Sequence, residues 1–425
     1  MCQCGHPSKL NNVNRLAVDL RQGLPDDLPM PRTIFAVIAL FVLGVSLAAK
    51  LSYADGSDGV RNNEAGEPDA TIEDITSQIE SGATSGIALA ELYLQRGDLL
   101  AKQGQHESAV SDFDRAIALH PNLAKAYSHR GIVRSQQGDF DRALEDYGAA
   151  IAIGSGDVDL YKYYSNRGLA WSRKGAYDRA IDDYNHAIAL NAQVASIYIL
   201  RGDAWWNLRE AARAIGDYDR AIAVDPGVRR AYLRRGQLHY RQGHYAEALK
   251  DFDKAIALVP SAVGYELRAE VYIEMREYTR AVDDLDRSIE LDPKSALAYS
   301  TRGWAFAEAG DYSRALADVN KAIDLDPKLA MAFNNRGLVH LRTATYSLAI
   351  EDFDKAIALD AGLGLAFVNR GLAKMGLGHC EDGVEDIRLG FAMERSPNDR
   401  LLEATRTFVR QTACAHLVDK LPNPA

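Results

Sequence analysis

The chain has 425 residues, 47% of them apolar and 25% charged, and a net charge of −10. An acidic chain without a basic tract is excluded as a nucleic-acid binder that works by neutralising phosphates. The apolar fraction is ample for a core, and a length that ordinarily suggests two or three globular domains suits one long repeat array equally well.

In chain order, residues 34–49 are an uncharged apolar run, shorter than the about 20 residues that a membrane span needs. Arg32 precedes it, and Ser52-Tyr53-Ala54 follows with small residues where a signal peptidase reads. Counted from Met30, residues 30–54 form a secretory signal or N-terminal anchor, with Met30-Pro31-Arg32-Thr33 as a basic lead and cleavage after Ala54. Residues 1–29 then come from a misplaced start; the other reading is an extended leader, or an uncleaved anchor with the repeats outside. No Cys follows the apolar run, which argues against a lipid anchor. Both readings predict an exported protein, periplasmic or membrane-anchored and facing away from the cytoplasm. Cys2, Cys4 and His6 lack further ligands nearby, so no metal site and no cofactor are expected. Residues 55–83, with Asp55, Asp58, Glu64, Glu67, Asp69, Glu73 and Asp74, read as a flexible acidic linker with one short helix near Ile72–Ile79.

From residue 84 to 395 the sequence is periodic. An Arg-small pair ends at Gly97, Gly131, Gly168, Gly202, Gly236, Ala269, Gly303, Gly337 and Gly371, with gaps of 33 to 37 residues, mostly 34. Twelve residues after this anchor stands Ala109, Ala143, Ala180, Ala214, Ala248, Ala281, Ala315, Ala349 or Gly383, and nineteen after it Ala116, Ala150, Ala187, Ala221, Ala255, Ser288, Ala322, Ala356 or Gly390. Small residues at fixed offsets mark close helix–helix approach. A larger apolar residue sits sixteen after the anchor, from Phe113 and Tyr147 to Phe353 and Ile387. Gly104, Gly138, Gly175, Gly243, Gly310 and Gly378 punctuate the middle of the unit, and Pro121, Pro226, Pro260, Pro293 and Pro327 end five units. The unit is therefore helix, turn, helix, turn, and the fold class is all-α.

Tyr232, Arg235-Gly236, Gly243, Tyr245 and Ala248, with Asp225-Pro226 closing the preceding unit, resemble the tetratricopeptide repeat family. The resemblance covers residues 84–395 as nine repeats. It implies a right-handed superhelical solenoid of antiparallel helix pairs whose concave face binds peptide or protein segments. The ninth repeat is atypical, with Gly383 and Gly390 in place of alanines, as terminal repeats commonly are.

The family's usual leucine before the anchor is replaced here by Arg in every repeat, and an Asp follows fifteen residues after each anchor, from Asp112 to Asp386. The midpoint of each Arg and its Asp falls on the turn between helices, so antiparallel packing places them level. The spacing predicts a ladder of partly buried Arg–Asp pairs; the competing reading is a stripe that binds polyanions. The same midpoint argument puts Cys380 level with Cys414 across a turn at Ser396-Pro397-Asn398, giving either a disulfide or two free core thiols. Residues 396–419 are expected to form a capping helix, N-capped by Asp399 and running to about Leu417, with Leu401, Leu402, Phe408 and Val409 on its apolar face; residues 420–425 are tail.

In the family the first helix of each repeat lines the groove. Mapped by offset, the central surface is Asn166, Arg173, Asp203, Trp206, Asn207, Arg230, Arg234, Gln237, Tyr240, Arg241, Glu266, Glu270, Glu274, Thr301 and Trp304. One reading is a bipolar peptide groove with Trp206, Tyr240 and Trp304 as apolar anchors; the other is that the Arg and Glu stripes neutralise each other across adjacent helices. Some relatives clamp a terminal carboxylate with residues from three repeats. Arg230 and Arg234 could supply one part, but Ser165, Leu169 and Leu200 hold the other sites, so that clamp is not expected. Asn166, Asn335 and Asn369 could bond a ligand backbone or cap local polar groups. No catalytic motif is present: the ten His are scattered and no nucleophile elbow or phosphate loop occurs. The expected function is a non-catalytic adaptor or scaffold for a protein or peptide partner. The alternative is a regulatory or substrate-presenting subunit of a separate envelope enzyme, such as a cell-wall hydrolase or polysaccharide synthase.

Overall fold

The computed structural model describes residues 70–393 and 399–422. The leader, the Cys2/Cys4/His6 run, the tether up to Asp69, the Asp399 cap and the end of the tail lie outside the residues whose structure or side chains are described.

Every regular element among the described residues is helical: twenty α-helices and one 3-10 turn. They divide between Val339 and His340 into two compact units, each considered by itself. The first opens with α1 (Ile72–Glu80). Antiparallel pairs follow: α2 (Gly86–Lys102) with α3 (His106–Leu119), α4 (Ala124–Gln136) with α5 (Phe140–Ile153), and α6 (Leu160–Arg173) with α7 (Tyr177–Leu190). Next come α8 (Ala195–Asn207) with α9 (Ala211–Val224), α10 (Arg229–Arg241) with α11 (Tyr245–Leu258), α12 (Ala262–Glu274) with α13 (Tyr278–Leu291), and α14 (Ala296–Ala309) with α15 (Tyr312–Leu325). The division falls within α16 (Ala330–Arg342). The second unit holds α17 (Tyr346–Leu359), α18 (Gly364–Gly376), α19 (Cys380–Met393), α20 (Asp399–Arg410) and the 3-10 turn Ala415–Lys420.

Local chemistry sets the ends of these helices. First helices stop in a Schellman motif: the N–H of Gly243 bonds the carbonyl of Tyr240 (2.9 Å) and that of His244 bonds His239 (2.8 Å). The residue seven after each anchor takes positive φ. It is Gly in six repeats, but Arg209, Arg276 and Ala344 adopt the same conformation at 64°, 61° and 56°. Between repeats, Asx turns recur at a constant offset, with the side chains of Asn191, Asp225, Asp292, Asp326 and Asp360 accepting from the N–H two residues on.

The small anchors are where paired helices meet most closely. A Cβ on Gly236 would lie 2.7 Å from a ring carbon of Phe252, and one on Gly97 would lie 2.5 Å from the Phe113 ring. The sixth anchor is Ala269, and the residue sixteen after it is Leu285 in place of a ring.

Two expected segments differ in the structure. Residues 72–80 form the short helix expected there, and it differs from a tether in being packed: Thr71 and Asp74 form a reciprocal capping box, and Ile75 is buried. Thr76 also accepts a hydrogen bond from Arg96, so α1 covers the first repeat. At the far end, α20 stops at Arg410 instead of near Leu417. The N–H groups of Gln411 and Thr412 bond three residues back, which tightens the chain and returns Leu417 and Leu421 to the core.

Candidate functional site: a wall of first helices

In the sixth and seventh repeats the first helix is the more enclosed of its pair. Successive first helices touch, α2 with α4, α4 with α6, α6 with α8 and α10 with α12. α12 buries eight residues where α13 buries four, and α14 buries nine where α15 buries four. Close stacking of one set of helices places that set on the inside of the curve, which is the face a groove requires.

The arginines before the anchors are not on offer to a ligand. In the eight pairs lying within a single unit, the guanidinium meets its carboxylate as foreseen from the spacing: Arg96–Asp112, Arg130–Asp146, Arg167–Asp183, Arg201–Asp217, Arg235–Asp251, Arg268–Asp284, Arg302–Asp318 and Arg370–Asp386. The sequence reading missed the third contact. Nη1 reaches back to the preceding repeat, from Arg235 to Asp219, Arg268 to Asp253, Arg302 to Asp286 and Arg370 to Asp354. Arg201 and Arg336 bond Asn185 and Asn320 in the same way. Each of these arginines also lies over an aromatic ring three residues earlier, as Arg235 lies over Tyr232. Hydrogen bonds to the carboxylates push the guanidinium pKa values of Arg235, Arg268, Arg302 and Arg370 upward against the opposing effect of burial. A ladder so fully engaged is structural, which corrects the polyanion-stripe reading.

The groove residues named from the sequence sit on α6, α8, α10, α12 and α14, and the structure joins only some of them. Asp203 is a hub: Arg230 Nη2 donates to it at 3.0 Å, Arg234 Nε lies 3.3 Å away, and the Tyr218 hydroxyl donates to it at 2.7 Å. The guanidinium of Arg241 stacks on Trp206, 5.1 Å from the ring centroid. Asn207 turns back to the Asp203 carbonyl of its own helix. Tyr240 and Glu274 meet at 3.5 Å. Asn166, Arg173, Gln237 and Thr301 stand outside this network. Of the asparagines outside the central surface, Asn335 bonds Ser300.

The acidic stripe is deeply enclosed. Glu266 and Glu270 are only 4% and 3% exposed, and Trp304 on the next first helix is 4% exposed. Glu266 is built into the wall: the Ser288 and Ser295 hydroxyls both donate to its Oε1 at 3.0 Å. Ser288 breaks the alanine series nineteen after the anchor, and that break was the available signal. Glu270 accepts no hydrogen bond among the described residues. Burial, with Glu266 and Glu274 alongside, drives its pKa well above the carboxylate range, and Arg241 opposes this. Burial raises Glu274 to about 7, opposed by the Tyr240 hydroxyl. Burial next to Glu270 and Glu274 likewise raises Tyr240. Arg230 and Arg234 of α10 thus reach Asp203 on α8, while Arg241 opposes the raised pKa of Glu270.

In the second unit, Cys380 and Cys414 form a disulfide with Cα atoms 5.2 Å apart, linking the start of α19 to the turn after α20. Cys414 is completely buried.

Among the described residues no helix is long and apolar enough to cross a membrane, and no group of three or more metal-ligating side chains occurs.

The tetratricopeptide repeat description matches residues 130–195, 199–263, 267–330 and 301–363, together more than half of the chain, and a second TPR repeat description matches 97–138. No curated protein matches the chain. Among solved structures, a tetratricopeptide repeat protein from Parabacteroides merdae is 22% identical, with 59% of this chain and 98% of that one covered and a TM-score of 0.49. YrrB, described as a TPR protein with an unusual peptide-binding site, is 27% identical over 43% of this chain and 95% of its own, at a TM-score of 0.36. The Cut9–Hcn1 hetero-tetramer of the APC/C is 12% identical over 80% and 81%, at 0.49.

Proposed function

Since the chain belongs to the tetratricopeptide repeat family, we propose that it is a non-catalytic scaffold that binds a peptide or protein segment along the wall formed by α6, α8, α10, α12 and α14. One observation carries the reading. This wall carries aromatic and charged side chains together: Trp206, Tyr240 and Arg241, with Glu270 and Trp304 buried beside them. Rigid aromatic groups beside charges of both signs are the composition of a protein-recognition surface. We place the protein in the cell envelope, on the strength of the apolar run at 34–49 and the residues that follow it. The Cys380–Cys414 bond is compatible with an oxidising compartment.

Recovery of bound proteins from the source cells, with the tagged chain as bait, tests this. Arg241→Glu changes an exposed groove charge and Arg234→Glu a partly buried one. Loss of the same partner in both variants, with helical content unchanged by circular dichroism, is the expected result. Undiminished recovery in both would remove the groove from the function. Recovery of one dominant enzyme whose rate the chain alters would replace the scaffold by an enzyme's regulatory arm.

A further inference from the structure

We infer that the turn edge of the third and fourth repeats, where α6 passes to α7 and α8 to α9, binds an acidic segment of a partner protein in which two carboxylates stand three residues apart. The surface is separate from the groove network, and the inference does not rest on the groove reading.

Eleven residues after the anchor, an arginine stacks on the aromatic ring three after the anchor. Arg179 lies over Trp171 at 4.7 Å from the ring centroid, Arg213 over Trp205 at 4.5 Å, Arg280 over Tyr272 at 4.4 Å and Arg314 over Phe306 at 4.3 Å. Stacking uses the face of a guanidinium and leaves its N–H donors free at the rim. In the sixth and seventh repeats the chain takes up those donors itself, Arg280 donating to Glu277 at 2.7 Å and Arg314 to Asp311 at 2.6 Å. In the third and fourth it does not. Ala176 stands where the carboxylate for Arg179 would be, and Glu210 lies 3.9 Å from Arg213, beyond hydrogen-bond distance.

Arg173 and Arg209, exposed near the same two turns, donate no side-chain hydrogen bond among the described residues either. Trp171 and Trp205 are half-buried, each packed on the core of the repeats. Tryptophan and arginine are the residues most enriched where binding energy concentrates. Unengaged guanidinium groups around two anchored rings fit carboxylates, which accept from a guanidinium in its own plane. A polyphosphate chain fits less well. Asp178 and Glu210 are exposed among the arginines, and Lys174 is taken by Asp141, so the surface offers separate cationic points and no continuous basic tract.

Spacing selects the form of the segment. The rings beneath Arg179 and Arg213 sit on α6 and α8, which touch. Packed helices lie about 8–10 Å apart, so the two guanidinium groups are separated by about that distance. In a polyproline II segment, residues three apart share a face and lie about 9 Å apart. Two acids with two residues between them therefore meet both arginines in register.

The test uses the full chain and a fluorescent ten-residue peptide with a glutamate–proline–proline–glutamate centre. Binding is read by anisotropy at about 50 and about 300 mM salt. The controls are peptides with glutamine or lysine in place of both glutamates, and a ten-nucleotide thymidine strand. The glutamate peptide should bind alone of the four, and more weakly at the higher salt. Arg179→Gln and Arg213→Gln should each weaken it about tenfold, the value of one charge-assisted contact, with helical content by circular dichroism unchanged. Arg280→Gln, at the counterpart that the chain already satisfies, should leave it unaltered. No binding of the glutamate peptide, undiminished binding by Arg213→Gln, or indifference to peptide charge overturns the inference. Tighter binding of the thymidine strand overturns it in favour of a nucleic acid. Binding that appears only with Asp55→Asn, Asp58→Asn, Glu64→Gln, Glu67→Gln and Asp69→Asn together overturns it in favour of the chain's own acidic stretch.

Discussion

Arg235 grips Asp251 with two parallel hydrogen bonds, Nε at 2.9 Å and Nη2 at 2.6 Å, and spends its remaining nitrogen on Asp219 of the repeat before. The two carboxylates differ in surroundings: the Asp251 side chain is 4% exposed and that of Asp219 is 54% exposed. Removing the buried partner strands a guanidinium that is itself four-fifths covered, whereas removing the exposed one breaks a screened surface pair. Asp251→Ala should therefore cost about 3 kcal/mol and Asp219→Ala under about 1 kcal/mol, read from urea unfolding followed by helical signal. Equal costs would mean that the repeat-to-repeat link matters as much as the link within the pair.

Gly236 and Phe252 make a second test. A methyl group at Gly236 would overlap the ring, so Gly236→Ala should destabilise by about 1–3 kcal/mol despite the better helix propensity of alanine. The chain already contains the compensated form, Ala269 with Leu285. Adding Phe252→Leu to Gly236→Ala should thus cost less than the sum of the two single changes. A double-mutant cycle in thermal or urea unfolding measures the coupling. Strict additivity would show that the ring does not dictate the glycine.

The turn inside each repeat gives the opposite sign. Arg276 holds φ at 61° where six other repeats have Gly. A side chain in this region is strained by about 1–2 kcal/mol, partly offset by the greater unfolded freedom of glycine. Arg276→Gly should raise stability by about 0.5–1 kcal/mol, seen as a higher urea midpoint with unchanged slope. A lower midpoint would assign the side chain a stabilising contact outweighing the strain.

The disulfide should matter to the second unit. Closing the chain between Cys380 and Cys414 restricts the unfolded ensemble by roughly 3–4 kcal/mol in the loop-entropy account. Cys380→Ser with Cys414→Ser, or reduction, should increase hydrogen exchange at Leu401, Leu402 and Phe408 while leaving amides of α8 to α12 unaffected. Exchange that does not respond would show that apolar packing alone fixes the cap.

What the sequence made legible follows from periodicity. An offset repeated many times defines helix length, pair packing and the level at which Arg meets Asp, because each repeat must fit its neighbour in the same way. The Nη1 contacts escaped notice although their partner position is Asp or Asn in seven of eight repeats, Gly148 being the exception, because polar residues on the outer side of a second helix read as a solvated face. The groove was legible as a surface but not as a network. Asp203 gathers Arg230, Arg234 and the Tyr218 hydroxyl from two neighbouring helices, and no offset announces that convergence. Ser288 was read as one more small residue, though its hydroxyl is what holds Glu266. The end of α20 failed for a related reason: apolar spacing continues through Leu417, but the linked Cys414 sits in a turn that the pattern cannot reveal.

The enclosed glutamates impose a pH dependence whose sign follows from burial. Unfolded, Glu270 and Glu274 lose their protons near the ordinary carboxylate value of 4.5; folded, Glu274 keeps its proton to about 7 and Glu270 is also held well above that ordinary value. Below about 4.5 both states are protonated and neither side chain costs anything. Between about 4.5 and 7 the native state holds more protons than the unfolded one, so the free energy of unfolding falls as pH rises. For Glu274 the loss is of order 2–3 kcal/mol once ionisation is complete. Urea midpoints for the wild type and for Glu270→Gln with Glu274→Gln, measured from pH 5 to pH 8, should diverge steadily, with the variant the more stable at pH 8. Parallel curves would mean that the stripe is solvated well enough to ionise freely.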